Sequence, residues 1–375
     1  MVKVMTTIPS GREMADMAVA AGAIDIAQGV VHLPPPVSFQ AALDRLFNEP
    51  RLHKYASPAG YLPYRQALLT VLQQQRNDLV LDNILATNGT TGGLVTALRA
   101  SCQYGEAVAL LEPFYPAHSW AIEALGLKAA YLPYAENFSL DLGAIERALA
   151  EETVSAFVLT NPANPTGTVL TSTELNQIVE LCEKHDVLLI LDEVYRDFMW
   201  EGTHVSPLTS ASLENVVVLR SFSKNLALAG WRAGYAVTSP ERVVKMKHAH
   251  EAFYVGAPSP AQFVLAELLL DPKAGLREFI EQLVALYREN REVISVAFRD
   301  FGMEPALKEG AYYMMAKHNR KSDLSAMQEL LGLGIAVAPG APFYRPGTHD
   351  TGYIRIHFAL AKETALKVRE ILAAK

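Results

Sequence analysis

A single lysine, Lys224, lies in a tract of small and apolar residues, SFSKNLALAGWRAGY, which spans residues 221–235. The residues that follow it, as far as Gly230, are predicted to be buried. Burial disfavours a charged amine, so a lysine in this setting loses its proton more readily than one in water. A neutral amine is a nucleophile that forms a Schiff base with a carbonyl group. The tract therefore predicts covalent chemistry at Lys224, against the simpler interpretation of a strand-end lysine whose head reaches water.

Two further charged residues end or interrupt apolar strand patterns. Asp192 ends the run LLILD, and a carboxylate at the end of a buried strand is costly unless it has a cationic partner. Arg355 stands between Ile354 and Ile356, and a planar guanidinium grips a carboxylate through two hydrogen bonds. A helix N-cap is the alternative role for Asp192. Both residues are candidate site groups.

A glycine-rich stretch, NGTTGGL, spans residues 88–94 between a predicted strand and a predicted helix. Small residues let backbone N–H groups approach an anion at a helix N-terminus. Glycine turns are common in α/β proteins, so this stretch alone is a weak signal. By itself the stretch is compatible with an anion site but does not specify one.

Short apolar runs alternate with helical patterns from about residue 83 to 240. This order predicts an α/β fold with a mostly parallel sheet between helices. Several runs end in polar or glycine-containing stretches, and such sheets bind ligands beyond the carboxyl ends of their strands. We therefore expect one site at one sheet edge, formed by the stretches NGTTGG, EPFYPAH, NPANPTG, DEVYRDF and SFSK.

The pattern changes after about residue 275. A long helical pattern over residues 276–301 precedes the apolar stretches GAYYMMAK and YIRIHFAL, which are typical of a smaller α/β unit. The N-terminal 40 or so residues are expected to pack against this unit. We predict a large domain over residues 45–275 and a small domain formed by residues 1–44 and 276–375.

Composition limits the partners and the compartment. The chain has 375 residues and a formal net charge of −7, which argues against nucleic acid or an anionic membrane as the main partner. No apolar run reaches the roughly 18 residues of a spanning helix, and the N-terminus lacks the apolar core of a secretory signal. Cys102 and Cys182 fit no disulfide or CxxC pattern, so we expect buried, inert thiols in a reducing cytoplasm.

Together the motifs resemble those of the class I and II aminotransferases, fold-type I enzymes that use pyridoxal 5′-phosphate (PLP). The resemblance runs from about Gly29 to Arg355, with several motifs in the family's order and spacing. It implies a fold-type I PLP-dependent transferase, with a seven-stranded sheet in the large domain and a smaller α/β domain. It also implies that Lys224 holds the cofactor as a Schiff base and shuttles a proton, while Asp192 pairs with the pyridine nitrogen.

The resemblance extends to the other groups around the cofactor. Tyr195 and Asn164 correspond to residues that hydrogen-bond the ring hydroxyl from opposite sides, and Tyr115 to an aromatic residue that stacks on the ring. Tyr55 corresponds to a tyrosine that reaches the phosphate of the neighbouring subunit, so the resemblance implies a homodimer. The remaining phosphate ligands that it implies are Gly89, Thr90, Thr91, Ser221, Ser223 and Arg232.

The substrate groups that the resemblance implies are Arg355 and Gly29 for the α-carboxylate, together with Asn164. The run GVVHLPPP departs from the family pattern and places His32 near the substrate. There His32 is either an acid/base or specificity group, or a loop histidine that faces water.

The segment HAHEAFYVGAPSPAQ bears on specificity. Glu251 stands in the neighbourhood where dicarboxylate-specific members carry an arginine. We therefore expect that an acidic amino acid is not the preferred donor, and a donor with a basic or polar side chain stays open. His248 and His250 are two residues apart and point to different helix faces. No metal site is predicted.

These inferences predict a PLP-dependent aminotransferase of amino-acid metabolism, which moves an amino group between an amino acid and a 2-oxo acid. The same chemistry at Cα also begins elimination, replacement, cyclisation and oxidation, so a PLP enzyme of another class stays open as the alternative. A non-catalytic binder, in which this fold is fused to a DNA-binding head, is disfavoured because the resemblance starts within about 30 residues of the N-terminus.

Overall fold

The computed structural model describes residue 9 and residues 11–375. Residues 1–8 and 10 lie outside the described residues. They belong to the predicted small domain and to the N-terminal stretch that was tested above for a secretory signal. The helices are α1 Gly11–Ala21, α2 Val37–Leu46, α3 Leu62–Gln73, α4 Gly89–Ser101, α5 Pro116–Ala124, α6 Leu142–Leu149, α7 Ser172–Lys184, α8 Pro240–Tyr254, α9 Ser259–Leu268, α10 Leu276–Asp300, α11 Asp323–Gly332 and α12 Lys362–Ala373. The strands are β1 Ile24–Asp25, β2 Ile84–Asn88, β3 Ala107–Glu112, β4 Lys128–Pro133, β5 Val154–Thr160, β6 Leu188–Asp192, β7 Val216–Ser221, β8 Ala233–Val237, β9 Glu304–Pro305, β10 Tyr313–Lys317, β11 Ile335–Ala336, β12 Ala338–Pro339 and β13 Tyr353–His357.

Seven strands form the central sheet, in the order β2-β8-β7-β6-β5-β3-β4. Strand β8 runs antiparallel to both of its neighbours, and the other neighbouring pairs are parallel. The prediction of an α/β fold with a mostly parallel seven-stranded sheet is confirmed.

Buried clusters lie on both faces of this sheet, which is why its strands are apolar without alternation. Along β5, Phe157 belongs to the same cluster as Ile178 of α7. The next residue, Val158, points to the opposite face and belongs to a cluster with Leu98 of α4. All four of these side chains are at most 2% exposed.

The C-terminal elements form a four-stranded sheet, in the order β12-β13-β10-β9, whose pairs are antiparallel. Strand β1 pairs in parallel with β11. Met14 of α1 and Ile26 share a buried cluster with Ile294 of α10 and Ile356 of β13. The N-terminal residues therefore pack against the C-terminal unit, as predicted, whereas the domain boundaries near residues 45 and 275 stay a prediction.

Two further predictions concern burial. Cys102 and Cys182 are free and buried, and burial raises the pKa of Cys182 to about 12, so this thiol stays protonated. Across residues 11–375, no helix has the combination of length and apolar character that crossing a bilayer requires.

The carboxyl ends of neighbouring central strands lie side by side. Thr160 at the end of β5 is the register partner of Asp192 at the end of β6, and Asp192 in turn pairs with Leu219 of β7. The polar stretches after these strands therefore meet at one edge of the sheet, as the sequence predicts.

Candidate active site

A cavity of about 360 Å³ lies at this edge of the sheet. All five polar stretches contribute to its lining, and Gln28, Gly29, Tyr313 and Arg355 line it from the N-terminal and C-terminal segments. Most of the sequence-predicted site residues are thus brought together. Those that line the cavity are Gly29, Thr90, Thr91, Tyr115, Asn164, Asp192, Tyr195, Ser223, Lys224, Arg232 and Arg355.

Lys224 follows the end of β7 and is half-buried. Its Nζ donates a hydrogen bond of 3.2 Å to the carbonyl oxygen of Gly29. The tract after it is buried at Leu226 and Leu228, but Gly230 is exposed. The prediction of burial for Gly230 is therefore wrong, because the chain turns to the surface in the short 3₁₀ helix Ala229–Trp231. The amine itself still lines the cavity.

Asp192 is 4% exposed at the end of β6. Its Oδ1 accepts a hydrogen bond of 3.0 Å from the backbone N–H of Val194, and its Oδ2 lies 3.5 Å from Nε2 of His118. His118 is also buried and was not among the sequence-predicted residues. The signal for it was a histidine in the stretch EPFYPAH, three residues after Tyr115. These contacts hold the carboxylate in place while it faces the cavity.

Asn164 links two predicted site residues. Its Nδ2 donates a hydrogen bond of 3.4 Å to the hydroxyl of Tyr195, and its Oδ1 accepts one of 3.0 Å from Nη1 of Arg355. Burial raises the pKa of Tyr195 well above its usual value, so the hydroxyl keeps its proton. The arginine therefore fixes which end of the Asn164 amide faces the tyrosine.

Arg355 is 5% exposed on β13. Its Cζ lies 4.4 Å from the ring centroid of Tyr313 and 4.4 Å from that of Phe343, so two aromatic faces contact one cation. Its Nη2 donates to the carbonyl of Ala27. Its Nε has no hydrogen-bond partner within the described part of the chain. A buried cation with a free donor suits a carboxylate ligand.

Gly29 is required by close packing. A Cβ at this position would lie 2.0 Å from the hydroxyl oxygen of Tyr313, so no larger residue fits without rearrangement. Its carbonyl accepts hydrogen bonds from the hydroxyls of Tyr312, at 3.3 Å, and Tyr313, at 3.4 Å, besides that from Lys224. Sequence reasoning missed both tyrosines, whose signal was the aromatic pair in GAYYMM.

An anion cradle lies where β2 meets α4. Gly89 opens α4 with φ of 70°, and a Cβ there would lie 2.6 Å from Nη2 of Arg232. Arg232 is itself fixed by hydrogen bonds to the carbonyls of Ala229, at 2.8 Å, and Asn88, at 3.2 Å. Free N–H groups at the start of a helix, next to a guanidinium, suit a phosphate. The cradle hydroxyls that line the cavity are those of Thr90, Thr91 and Ser223.

Tyr115 stands immediately before α5 and lines the cavity. Its ring meets the ring of His118 edge to face at 5.3 Å. Burial raises its pKa, so the hydroxyl stays neutral. A neutral aromatic face at this place suits stacking on a flat ligand.

Four predicted residues lie outside the cavity lining: Gly89, which forms the anion cradle beside it, and Ser221, His32 and Tyr55. Ser221 is buried behind it, where its Oγ accepts a hydrogen bond of 3.4 Å from the backbone N–H of Ser223. Nδ1 of His32 lies 3.0 Å from the hydroxyl of Tyr287, so the predicted substrate contact of His32 finds no support in this placement. Tyr55 is 89% exposed on another surface.

Comparison with known proteins gives the same assignment as the motifs. The family model for aminotransferase class I and II matches residues 17–373. The chain belongs to the class I and II aminotransferases. A relative from Thermus thermophilus, named aspartate/prephenate aminotransferase, is 28% identical over 327 residues, which cover 85% of this chain and 82% of that protein. The aromatic aminotransferase ISS1 of Arabidopsis thaliana is 28% identical over 363 residues, which cover 94% and 89%.

A solved structure agrees with the family assignment. The aspartate aminotransferase of Thermus thermophilus with maleate superposes with a TM-score of 0.90 at 25% identity, covering 98% of this chain and 97% of that chain. Because the relatives are named aminotransferases, aminotransfer is favoured over the elimination, replacement, cyclisation and oxidation reactions kept as alternatives.

Aminotransferases of this family and fold use PLP, so PLP is the cofactor. The cavity fits it. The cradle at Gly89 leaves no room for a Cβ but offers backbone and guanidinium donors to a phosphate. The carboxylate of Asp192 and the amine of Lys224 line the same cavity. The carboxylate suits the basic ring nitrogen of PLP, and the amine suits its aldehyde.

Proposed function

We propose that this aminotransferase takes its amino group from a neutral amino acid with an apolar or aromatic side chain and passes it to a 2-oxo acid. One observation carries the proposal. Among the described residues that line the cavity, the lysine and arginine side chains are those of Lys224, Arg232 and Arg355.

Each of these three basic side chains has a partner in the proposed complex. The amine of Lys224 takes the cofactor aldehyde, Arg232 takes the phosphate, and Arg355 takes the α-carboxylate of the substrate. A second carboxylate on the substrate would meet no further cation of the described lining. Asn164, Asp192 and Arg355 are at most 5% exposed. An unpaired charge placed among these buried groups is costly, so acidic donors are disfavoured.

The rest of the lining supports an apolar side chain. Val30, Trp120, Pro342 and Phe343 face the same cavity. Apolar and aromatic surfaces bind an apolar group by removing both from water. Trp120 is 58% exposed and stands at the mouth, where a large substrate ring can cover it.

The roles of the site residues belong to the same proposal. When bound, PLP supplies a conjugated ring that accepts the electrons left at the substrate Cα. Nζ of Lys224 would take the proton from the substrate Cα as a general base and deliver it, as a general acid, to the cofactor carbon that first bore the aldehyde, as aminotransfer requires. Asp192 keeps a proton on the ring nitrogen, and Arg355 orients the Cα–H bond by gripping the carboxylate.

Assembly and location are also proposed. We infer a homodimer in which Tyr55 of one copy reaches the phosphate site of the other. The Tyr55 side chain is 89% exposed, and the exposure of so large an aromatic group supports a second subunit that covers it. Cytoplasmic location and a role in amino-acid biosynthesis remain predictions from the sequence.

A half-reaction screen tests the donor class. PLP-loaded protein is mixed with L-phenylalanine, L-leucine or L-aspartate, without an acceptor, and the 2-oxo acid is quantified by mass spectrometry together with the cofactor absorbance. We expect kcat/KM for phenylalanine to exceed that for aspartate by about 100-fold or more. A preference for aspartate would overturn the donor class. Release of ammonia without an acceptor would overturn aminotransfer itself.

A further inference from the structure

We propose that Arg345 is a positioning residue for the substrate-carboxylate site. Through a bidentate ion pair with Glu112 it holds Phe343 against the guanidinium of Arg355. Neither Glu112 nor Arg345 lines the cavity. Glu112 begins the polar stretch EPFYPAH, but nothing in the sequence pairs it with Arg345. The inference rests on the proposed function, because it assigns Arg355 to the substrate carboxylate.

The ion pair joins two distant parts of the chain. Nε and Nη2 of Arg345 lie 3.0 Å and 2.6 Å from Oε2 of Glu112, and the backbone N–H of Arg345 donates to Oε1. The carboxylate is 8% exposed and the guanidinium 51% exposed. The guanidinium also lies over the ring of Tyr131, with 5.6 Å from Cζ to the centroid. A carboxylate so deeply buried needs this partner, because an unpaired charge there would be costly.

The ion pair anchors the segment of residues 341–351, which carries Phe343. The carbonyl of Phe343 accepts a hydrogen bond of 2.8 Å from the backbone N–H of Phe114, two residues after Glu112. The ring of Phe343 lies 4.4 Å from Cζ of Arg355. The carboxyl end of β3 therefore holds the segment at two places. One is the backbone hydrogen bond between Phe114 and Phe343. The other is the ion pair between Glu112 and Arg345, which stands two residues after Phe343.

The other end of this segment is anchored to α11. Oδ2 of Asp323 accepts hydrogen bonds from the backbone N–H of Ala341, at 3.0 Å, and from the hydroxyl of Thr351, at 2.8 Å. Asp323 is buried, and its oxygens are occupied by these donors and by Nε2 of His318 at 3.1 Å. Asp323 therefore holds the two ends of the segment, at Ala341 and Thr351. Among the described ion pairs, that between Arg345 and Glu112 is the one that joins the middle of the segment to the central sheet.

Loss of the ion pair between Glu112 and Arg345 should therefore affect the face of the Arg355 guanidinium that Phe343 covers. Without it the segment keeps its α11 anchor and the backbone hydrogen bond from Phe114 to Phe343. The Phe343 ring can then turn away from the guanidinium of Arg355, which loses a cation–π contact and its fixed direction. Carboxylate binding weakens, whereas the phosphate cradle at Gly89 and the ring pocket at Asp192 are untouched. The signature is a selective loss of substrate affinity.

The experiment compares PLP-loaded Arg345→Ala and Arg345→Lys with the wild type. The matched control is Arg277→Ala, which removes an exposed arginine paired with Glu281 on α10. Three quantities are measured: the dissociation constant for 3-phenylpropanoate, a carboxylate without an amino group; KM and kcat for L-phenylalanine; and the dissociation constant for PLP. Glu112→Gln and the Glu112→Gln/Arg345→Ala double variant complete a double-mutant cycle, which measures the coupling between the two side chains.

We expect Arg345→Ala to raise the 3-phenylpropanoate dissociation constant and KM by about tenfold, with PLP affinity changed less than about twofold. Arg345→Lys should restore part of the loss, and the double variant should lose no more than the worse single variant. Equal weakening of PLP and carboxylate, an effect no larger than that of Arg277→Ala, or additive losses would overturn the proposal. Failure of the proposed function would show differently, as a wild type that does not take the amino group from L-phenylalanine.

Discussion

The side-chain oxygen of Asn164 accepts a hydrogen bond of 3.0 Å from Nη1 of Arg355. The other end of the same amide donates to the hydroxyl of Tyr195. One side chain therefore joins the guanidinium proposed for the substrate carboxylate to the hydroxyl proposed for the cofactor ring. Binding at either place is expected to change the hydrogen bonding at the other.

Replacing this amide by a carboxylate tests the link. In Asn164→Asp the new charge pairs with Arg355 and competes with the substrate carboxylate for its donors. It also removes the N–H that donates to Tyr195. We expect KM for L-phenylalanine to rise by about 100-fold, measured by steady-state kinetics of the PLP-loaded enzyme.

Asn176→Asp is the matched control, since it makes the same change on an exposed helix position. It should leave KM unchanged. An Asn164→Asp enzyme with wild-type KM would contradict the link between Asn164 and the carboxylate site.

The phosphate cradle is tested at Gly89. In Gly89→Ala the new Cβ meets the guanidinium of Arg232 and the residue keeps a positive φ of 70°. Gly22→Ala is the matched control, because its φ is 62° and its Cβ meets nothing within 4 Å. Both variants should lose about 1 kcal/mol of stability from backbone strain.

Only Gly89→Ala should lose affinity for PLP, by about tenfold or more, because the cradle is displaced. Equilibrium dialysis of the apoprotein with PLP measures this. If the two alanine variants bound PLP equally well, the cradle would lie elsewhere.

The buried imidazole of His357 predicts a pH dependence of stability. Burial, with the nearby charge of Arg355, lowers its pKa from 6.5 to about 3 in the folded protein. Between these values the unfolded chain binds a proton that the folded protein does not, so stability falls as pH falls. The contribution of His357 is up to about 1.4 kcal/mol per pH unit in this window.

Urea unfolding at pH 7, 6, 5 and 4 measures the effect. Because other groups titrate as well, the comparison is between the wild type and His357→Gln, in which this contribution is absent. The exposed His53→Gln serves as control. Parallel pH profiles for the wild type and His357→Gln would contradict the assigned pKa.

Most of the central sheet could be predicted from the sequence because β3, β5, β6, β7 and β8 are local apolar runs. Its polar ends must meet at one edge once the strands are parallel. Residues such as Asp192 and Lys224 stand at those ends, so their convergence followed from topology. Arg355 was predicted differently, from a charge that interrupts an apolar strand.

Other contacts could not be predicted because they depend on how distant segments dock. Glu112 ends the apolar run AVALL, but Arg345 is 233 positions away, so the sequence does not show that the two residues pair. The contact of His118 with Asp192 requires the start of α5 to lie against the end of β6. The exposure of Gly230 depends on a turn that hydrophobicity alone does not reveal.

The central claim is that Lys224 is the residue that binds PLP covalently. Borohydride reduction of the PLP-loaded protein, followed by peptide mass spectrometry, tests it most directly. We expect the wild type and the surface control Lys245→Ala to carry the reduced cofactor on Lys224, and Lys224→Ala to carry none. A reduced adduct on another lysine of the wild type, or one that survives in Lys224→Ala, would contradict the account.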